Sequence, residues 1–215
     1  FPPPYWNGLP RMLPWDHFIW FASYILLFTA LSGFGAHRIK VLYHFWKHRD
    51  DVPTPKKEFS ELPAITIQLP IFNEYDVVEK LLRCVSALDY PKDKLQIQVL
   101  DDSTDETAAY AEKLTAEYAA KGLDIAYLHR TNRKGFKAGA LDEAMPLVKG
   151  EFICIFDADF QPQPDYLQKL IHHFTDETVG MVQARWGHAN KHFSLLTRLQ
   201  ALFLDGHLVL EQTAR

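Results

Sequence analysis

The chain has 215 residues, with 23 Lys and Arg against 27 Asp and Glu, for a formal net charge of −4. That slight acidity, with no basic stripe, argues against nucleic acid as a partner. Its two cysteines, Cys84 and Cys154, lack a neighbouring Cys/His pair, so they make neither a zinc pattern nor a disulfide framework; both read as core residues of a reducing compartment.

Phe1 to Pro14 is rich in proline and aromatic residues and has no helical or strand period. Phe18 to Ala36 follows, nineteen residues without a formal charge, close to the ~20 that span a bilayer core. Trp15, Trp20 and Tyr24 lie toward one end of the run; Tyr43 and Trp46 follow the other, as interfacial aromatics do. Arg38, Lys40, Lys47, Arg49, Lys56 and Lys57 come after the run, against Arg11 alone before it. The positive-inside rule then predicts an integral membrane protein whose later residues face the cytoplasm. A buried core helix and a signal peptide are the alternatives. The signal peptide is disfavoured, because its basic region should precede the apolar run and a small-residue cleavage pattern should close it. Residues 15–49 are thus expected to form a transmembrane helix with a basic cytosolic flank. Residues 50–63, charged and carrying Pro53, Pro55 and Pro63, read as a linker.

From Ala64 the pattern alternates between strand and helix. Ile65, Ile67 and Leu69 mark a short strand ending in Pro70, and Val77, Val78, Leu81, Leu82, Val85 and Leu88 recur at helical spacing. Leu95 to Leu100 is a second strand running into Asp101 and Asp102. Ser103 and Glu106 have capping-box spacing for the next helix, with Gly122 as its stop. Ile125 to Leu128 is a third strand, Gly135 to Val148 a helix, and Phe152 to Phe156 an apolar strand ending on Asp157. Leu167, Leu170, Ile171 and Phe174 mark another helix, Met181 to Trp186 another strand, and Phe193 to Arg215 an amphipathic helix lying on the protein or on a membrane surface. Such alternation predicts an α/β fold, a parallel sheet with helices on both faces that binds ligands beyond the carboxyl ends of its strands. The chain opens on Phe1 rather than Met and stops at Arg215 within a helical pattern, so it reads as a fragment, with residues 64–215 an incomplete catalytic domain.

The strongest local signal is Asp157-Ala158-Asp159 after a wholly apolar strand. Hard carboxylate oxygens of this kind suit Mg2+ or Mn2+, bound together with substrate phosphates, where the ion neutralises a departing diphosphate. A solvated loop whose aspartates merely begin the next turn is the alternative. Asp101 and Asp102, at another strand end, can hydrogen-bond the base edge and ribose of a nucleotide; helix capping explains them equally well. Asn73 and Glu74 offer similar polar groups after the first strand, where a plain turn would also use them. Arg130 to Gly139 is basic and carries glycines that let backbone approach a ligand. Within it, Lys137 near a helix start can meet a phosphate as a point charge. Trp186 can stack on a sugar face while Arg185 or His188 hydrogen-bonds hydroxyls; a core tryptophan beside a surface arginine fits as well.

The motifs in their order, Leu69-Pro70-Ile71-Phe72-Asn73-Glu74, Leu100-Asp101-Asp102-Ser103-Thr104-Asp105, Gly135-Phe136-Lys137-Ala138-Gly139-Ala140-Leu141, Phe156-Asp157-Ala158-Asp159 and Val182-Gln183-Ala184-Arg185-Trp186-Gly187-His188, resemble the family 2 inverting glycosyltransferases of the cellulose-synthase-like group. The likeness is nearest to the mannan and glucomannan synthases and their bacterial relatives, and it covers about Ala64 to Arg215. It implies a nucleotide-diphospho-sugar transferase (GT-A) fold and a hexosyltransferase. It implies donor contacts from Asn73, Glu74, Asp101, Asp102, Lys137 and Asp157, and a divalent ion on Asp157 and Asp159. The expected reaction moves a hexosyl unit from UDP-glucose or GDP-mannose to a growing β-linked polysaccharide with inversion. Such enzymes also carry a Thr-Glu-Asp motif holding the general base and a Gln-x-x-Arg-Trp motif at the acceptor channel. Neither follows Asp159 here, so the base is expected beyond Arg215. Gln183-Ala184-Arg185-Trp186 has one residue too few for the second motif.

Transfer to a polyprenyl-phosphate acceptor and a non-catalytic sugar-nucleotide-binding module remain as rivals. An aspartyl phosphatase would want Thr or Val where Gln161 stands, and a dinucleotide oxidoreductase would want a G-x-G-x-x-G after the first strand.

Overall fold

Short apolar runs separated by amphipathic ones close into a parallel sheet. The computed structural model describes residues 14–51 and 53–211, in two units: Thr54–Ala184, and the described residues on either side of it. The segment before Pro14 and the last four residues of the expected catalytic domain therefore lie outside the described residues.

In the first unit four strands, β1 (Ile65–Ile71), β2 (Leu95–Asp101), β3 (Asp124–His129) and β4 (Phe152–Ile155), pair in the order β3-β2-β1-β4, every pair parallel. Parallel neighbours need crossovers, and helices α2 (Tyr75–Ser86), α3 (Thr107–Ala120) and α4 (Phe136–Ala144) supply them. Odd-numbered Ile65, Ile67, Leu69 and Ile71 of β1 face one side and join Val78, Leu81, Leu82 and Val85 of α2 in the main core. Leu167 and Ile171 of α5 (Tyr166–Ile171) reach the same core. On the opposite side Leu100 packs with Ala140 and Ala144 of α4.

The even positions of β1 and β2 differ from the apolar run expected of a doubly covered strand. Thr66, Gln68, Gln96 and Gln98 are buried on the α4 side. They are tolerated because they satisfy one another: Thr66 Oγ1 donates to Gln96 Oε1 at 2.8 Å, Gln68 Nε2 to Gln98 Oε1 at 3.0 Å, and Gln96 Nε2 to the Leu147 carbonyl at 3.0 Å. This polar ladder ties the two central strands to the segment after α4.

Several expectations need correction. The Ser103/Glu106 capping box does not form: α3 starts at Thr107, whose N–H is capped by Asp105 Oδ1 at 2.9 Å, while Ser103 Oγ accepts the N–H of Asn73 at 2.8 Å. Residues 54–63 are not a free linker. Phe59 and Leu62 pack on the core, Lys94 Nζ donates to the Leu62 carbonyl at 2.7 Å, Tyr90 OH to the Pro63 carbonyl at 2.6 Å, and Lys56 pairs with Asp176 at 2.5 Å. Proline content disguised two apolar anchors. Met181 to Trp186 joins no strand, and the described sheet ends at β4, whose Ile153 and Ile155 are 38% and 45% exposed. Alternation fits a strand there, but a ladder also needs a neighbouring edge. Cys84 and Cys154 are free and half-buried; Cys154 packs against the core, and burial pushes its thiol up to about 12.

In the other unit α1 (Pro14–His48) is a 35-residue helix. Within it, His17–His48 is long and apolar enough to cross a membrane, and none of its most apolar window is buried, which disfavours a core helix. The helix α6 (Leu195–Asp205) starts in a capping box between Ser194 and Thr197 and runs into a π-helical turn at Gly206–Glu211. Together they make residues 195–211 helical within the span Phe193 to Arg215 expected to be an amphipathic helix, and residues 212–215 lie outside the described residues. In α6, Leu195, Leu196, Leu199, Leu202 and Phe203 are all more than half exposed.

Candidate active site

In a parallel sheet every strand delivers its C-terminal residue to the same edge, so chemistry-bearing side chains gather there by topology alone. The loops after β1, β2 and β4 and the N-terminus of α4 meet at this edge.

After β4, Phe156 and Ala158 are buried at 2% and 4% exposure and anchor the segment, which turns Asp157 and Asp159 outward together. The N–H of Phe160 closes the turn on the Asp157 carbonyl at 3.0 Å. Lys137, one residue into α4, forms an ion pair with Asp157. Glu74, the N-cap residue of α2, completes the acidic group. Its carboxyl lies above the usual range, first because it has lost water, then because Asp159 and Asp157 repel its charge; Lys137 opposes the shift. A carboxyl raised in this way stabilises the fold while protonated, below about pH 4.3, and that contribution is lost as pH climbs through the folded value. At neutral pH the ionised group therefore works against folding. Glu74→Gln should raise the melting temperature, and a lower one would contradict the repulsion.

Asp101 and Asp102 are neighbours with opposite roles. Asp101 is wholly buried. It accepts the N–H of Ser103 at 3.0 Å, the hydroxyl of Tyr127 at 2.7 Å and, in the tautomer protonated there, His129 Nδ1 at 3.1 Å. Burial and this carboxylate both raise the Tyr127 hydroxyl above its ordinary value, so it remains a donor. The expectation that Asp101 meets a nucleoside is thus not matched by its placement, which is inward and fully partnered. Asp102 points the other way and receives Arg130 in a two-pronged contact, Nε at 2.8 Å and Nη2 at 2.6 Å. Asn73 sits in the left-handed region at φ 53°, which asparagine tolerates, and its Oδ1 accepts the N–H of Thr104 at 2.9 Å. It crosslinks the loops after β1 and β2.

Two further non-glycine residues, Arg133 at φ 41° and Phe136 at φ 52°, hold left-handed backbone beside this edge. Arg133 lies 3.2 Å over the ring of Phe72. Strain of this sort gathers where the surrounding structure over-determines a site. Tyr127 and His129 are not singled out by the sequence, where Arg130 enters only as the first residue of the basic segment and Phe72 only within a motif. The pairing of His129 with Asp101 across β2 and β3 was the available signal, since Tyr127 and His129 share one face.

Arg185, Trp186 and His188 belong to the other unit. There they line a cavity of about 570 Å3 with Lys191, Leu202 and Asp205, and His188 Nε2 lies 2.9 Å from Asp205 Oδ1.

Among the described residues, no three His, Cys, Asp or Glu side chains converge tightly enough to hold an ion alone. Asp157 and Asp159 nonetheless fit Mg2+ or Mn2+, which often takes one or two carboxylates and completes its shell with phosphate and water.

Residues 66–211 match the sequence model of the family described as Glycosyl transferase family 2. The probable glucomannan 4-beta-mannosyltransferase 7 of Oryza sativa subsp. japonica is 43% identical over 164 residues, covering 74% of this chain and 28% of that protein. The glucomannan 4-beta-mannosyltransferase 2 of Arabidopsis thaliana is 43% identical over 158 residues, 71% of this chain and 30% of that protein. The chain thus spans under a third of the length of both curated relatives. Among solved structures, the mannosyltransferase PcManGT from Pyrobaculum calidifontis, in complex with GDP-Man and Mn2+, aligns with a TM-score of 0.58 at 32% identity, covering 73% of this chain and 47% of that one. This likeness agrees with the GT-A fold that the motif order implies. A match over two-thirds of the chain, on a parallel sheet with its acidic groups at the expected edge, means that the chain belongs to glycosyl transferase family 2.

Proposed function

We propose that the chain is the donor-binding part of a membrane hexosyltransferase that moves mannose from GDP-mannose to a growing β-linked polysaccharide, with inversion at the anomeric carbon. One observation carries this reading: Asp157, Asp159, Glu74 and Lys137 share one sheet edge in a family 2 chain. The mannosyltransferase relatives and the GDP-Man complex of the solved neighbour favour mannose and guanosine over glucose and uridine.

Asp157 and Asp159 would hold Mn2+ or Mg2+, which supplies neutralising charge to the departing diphosphate. Lys137 would exchange its partner Asp157 for a donor phosphate, since the donor brings the negative charge that the lysine needs. Asp102 would accept from the base edge, Asn73 would hold the loops on which Asp102 and Glu74 stand, and Asp101 would act indirectly, by fixing β3 to β2. Arg185, Trp186 and His188 would meet the sugar or acceptor. The helix α1 would cross the bilayer, with the later residues on the cytoplasmic side, as Arg38, Lys40, Lys47 and Arg49 direct.

The test is incorporation of labelled sugar by the full-length protein from GDP-mannose and from UDP-glucose, with Mn2+ and with EDTA. Insoluble glycan formed from GDP-mannose only when metal is present is the expected result. Product that partitions into organic solvent would indicate a lipid-phosphate acceptor instead. Nucleotide binding without any incorporation would leave a binding module.

A further inference from the structure

Arg130 uses all of its donors. Its guanidinium has five N–H groups. Nε and Nη2 grip the two oxygens of Asp102 at 2.8 and 2.6 Å, Nη2 also donates to the Phe136 carbonyl at 3.1 Å, and Nη1 reaches Glu143 at 3.1 Å and the Lys134 carbonyl at 3.3 Å. The side chain is 9% exposed and that of Asp102 5% exposed. Its own N–H donates to the Asp101 carbonyl at 2.9 Å. With every donor occupied, Arg130 has none left for a phosphate; what it does is join three pieces of chain.

Those pieces are the end of β2, the loop 131–135 and the first turn of α4. Phe136, whose carbonyl Arg130 holds, immediately precedes Lys137. The loop is closed tightly enough to require glycine at two points. Gly135 has φ 73°, and a Cβ on Gly139 would lie 1.9 Å from the Lys134 carbonyl oxygen and 3.1 Å from Arg130 Nη1. The spacing between Asp102 and Lys137 is thereby set through one side chain. Each oxygen of Asp102 accepts one bond from Arg130 and keeps a further lone pair, so the carboxylate remains able to accept from a ligand N–H.

We propose that Arg130 is a positioning residue for the donor. It aims Asp102 at the nucleoside and fixes the Lys137 turn at the distance a diphosphate spans, touching neither the sugar nor the phosphates. The inference rests on the donor-site reading above. It deepens that reading by assigning nucleotide affinity to a residue outside the ligand shell.

The experiment measures donor KM and kcat of the full-length protein carrying Arg130→Lys, with a melting curve to verify folding. Lysine keeps the charge but loses the planar fork, so KM should rise about tenfold or more while kcat falls much less. Asp102→Asn, an isosteric change at the other end of the contact, should give the same split and serves where Arg130→Lys does not fold. Combining the two should raise KM by less than the product of the separate changes, because both break one contact. A folded Arg130→Lys, or failing that a folded Asp102→Asn, with unchanged KM overturns the proposal, as does a fall in kcat alone. Asp159→Ala is the parallel arm. If it removes metal-dependent donor binding while Arg130→Lys does not affect it, only the positioning role fails; if Asp159→Ala also leaves donor binding intact, the donor site itself is misassigned.

Discussion

Asp157→Asn in the full-length protein is expected to weaken Mn2+-dependent binding of GDP-mannose by roughly 10- to 100-fold or more, since loss of a group that only supports a metal ligand already costs about that much affinity. The substitution keeps volume and removes the charge. Asp157 stands between the buried anchors Phe156 and Ala158, so the backbone should hold its place. Lys137 supplies the contrasting arm. It is paired with Asp157, so on the proposed reading it would compete with a divalent ion for that carboxylate. Lys137→Met should therefore tighten binding of Mn2+ alone while weakening binding of the nucleotide-sugar. Calorimetry, or the spin-resonance signal of free Mn2+, reads the first effect without any turnover, and a competition assay with GDP reads the second. Nucleotide affinity within threefold of the parent in Asp157→Asn would remove the metal role, and two changes of the same sign in Lys137→Met would remove the exchange of partners.

Asp101→Ala is expected to be the most damaging single change to the fold. It leaves the Ser103 N–H and His129 Nδ1 without their acceptor and takes one of two acceptors from the Tyr127 hydroxyl, whose other is the Ala108 carbonyl at 3.0 Å, all around a carboxylate that is wholly buried. Each buried donor left without its acceptor costs about 1–3 kcal/mol, so the set should cost about 3–5 kcal/mol. For a domain of this size that is a fall in Tm of roughly 6–20 °C. Asp101→Asn, which still accepts at one oxygen, should lose less. A denaturant melt of the two variants measures the difference. A loss in Asp101→Ala no larger than that of a surface substitution, about 0.5 kcal/mol, would show that the Ser103 N–H and His129 find other partners.

The two aspartates also mark where reading the chain stops being sufficient. Adjacent carboxylates at a strand end look alike in sequence, and both were expected to face a nucleotide. Alternation along β2 gives them opposite sides: Asp101 shares its side with the Tyr127–His129 face of β3, and Asp102 meets the Arg130 fork. Which of the two points inward depends on the register of β2 against β3, a pairing between residues about 28 positions apart. Arg130 was legible only as part of a basic segment, since its five acceptors come from separate parts of the chain. The segment 54–63 misled for a related reason: prolines signalled a linker, and the two apolar side chains that dock it, Phe59 and Leu62, form no period of their own.

The order of strands and helices, the apolar run of α1, and the positions of the acidic pairs and the basic turn followed from local pattern. Periodicity and strand-end placement are properties of neighbouring residues, and βαβ connectivity sends every strand end to one edge. Tertiary structure alone decided that the buried glutamines of β1 and β2 satisfy each other, that residues 181–186 find no ladder, and that Asp101 ties β2 to β3 while Asp102 is held by Arg130. Each of those outcomes turns on a hydrogen-bond partner far away in sequence, and a buried polar group is stable only where that partner is in place.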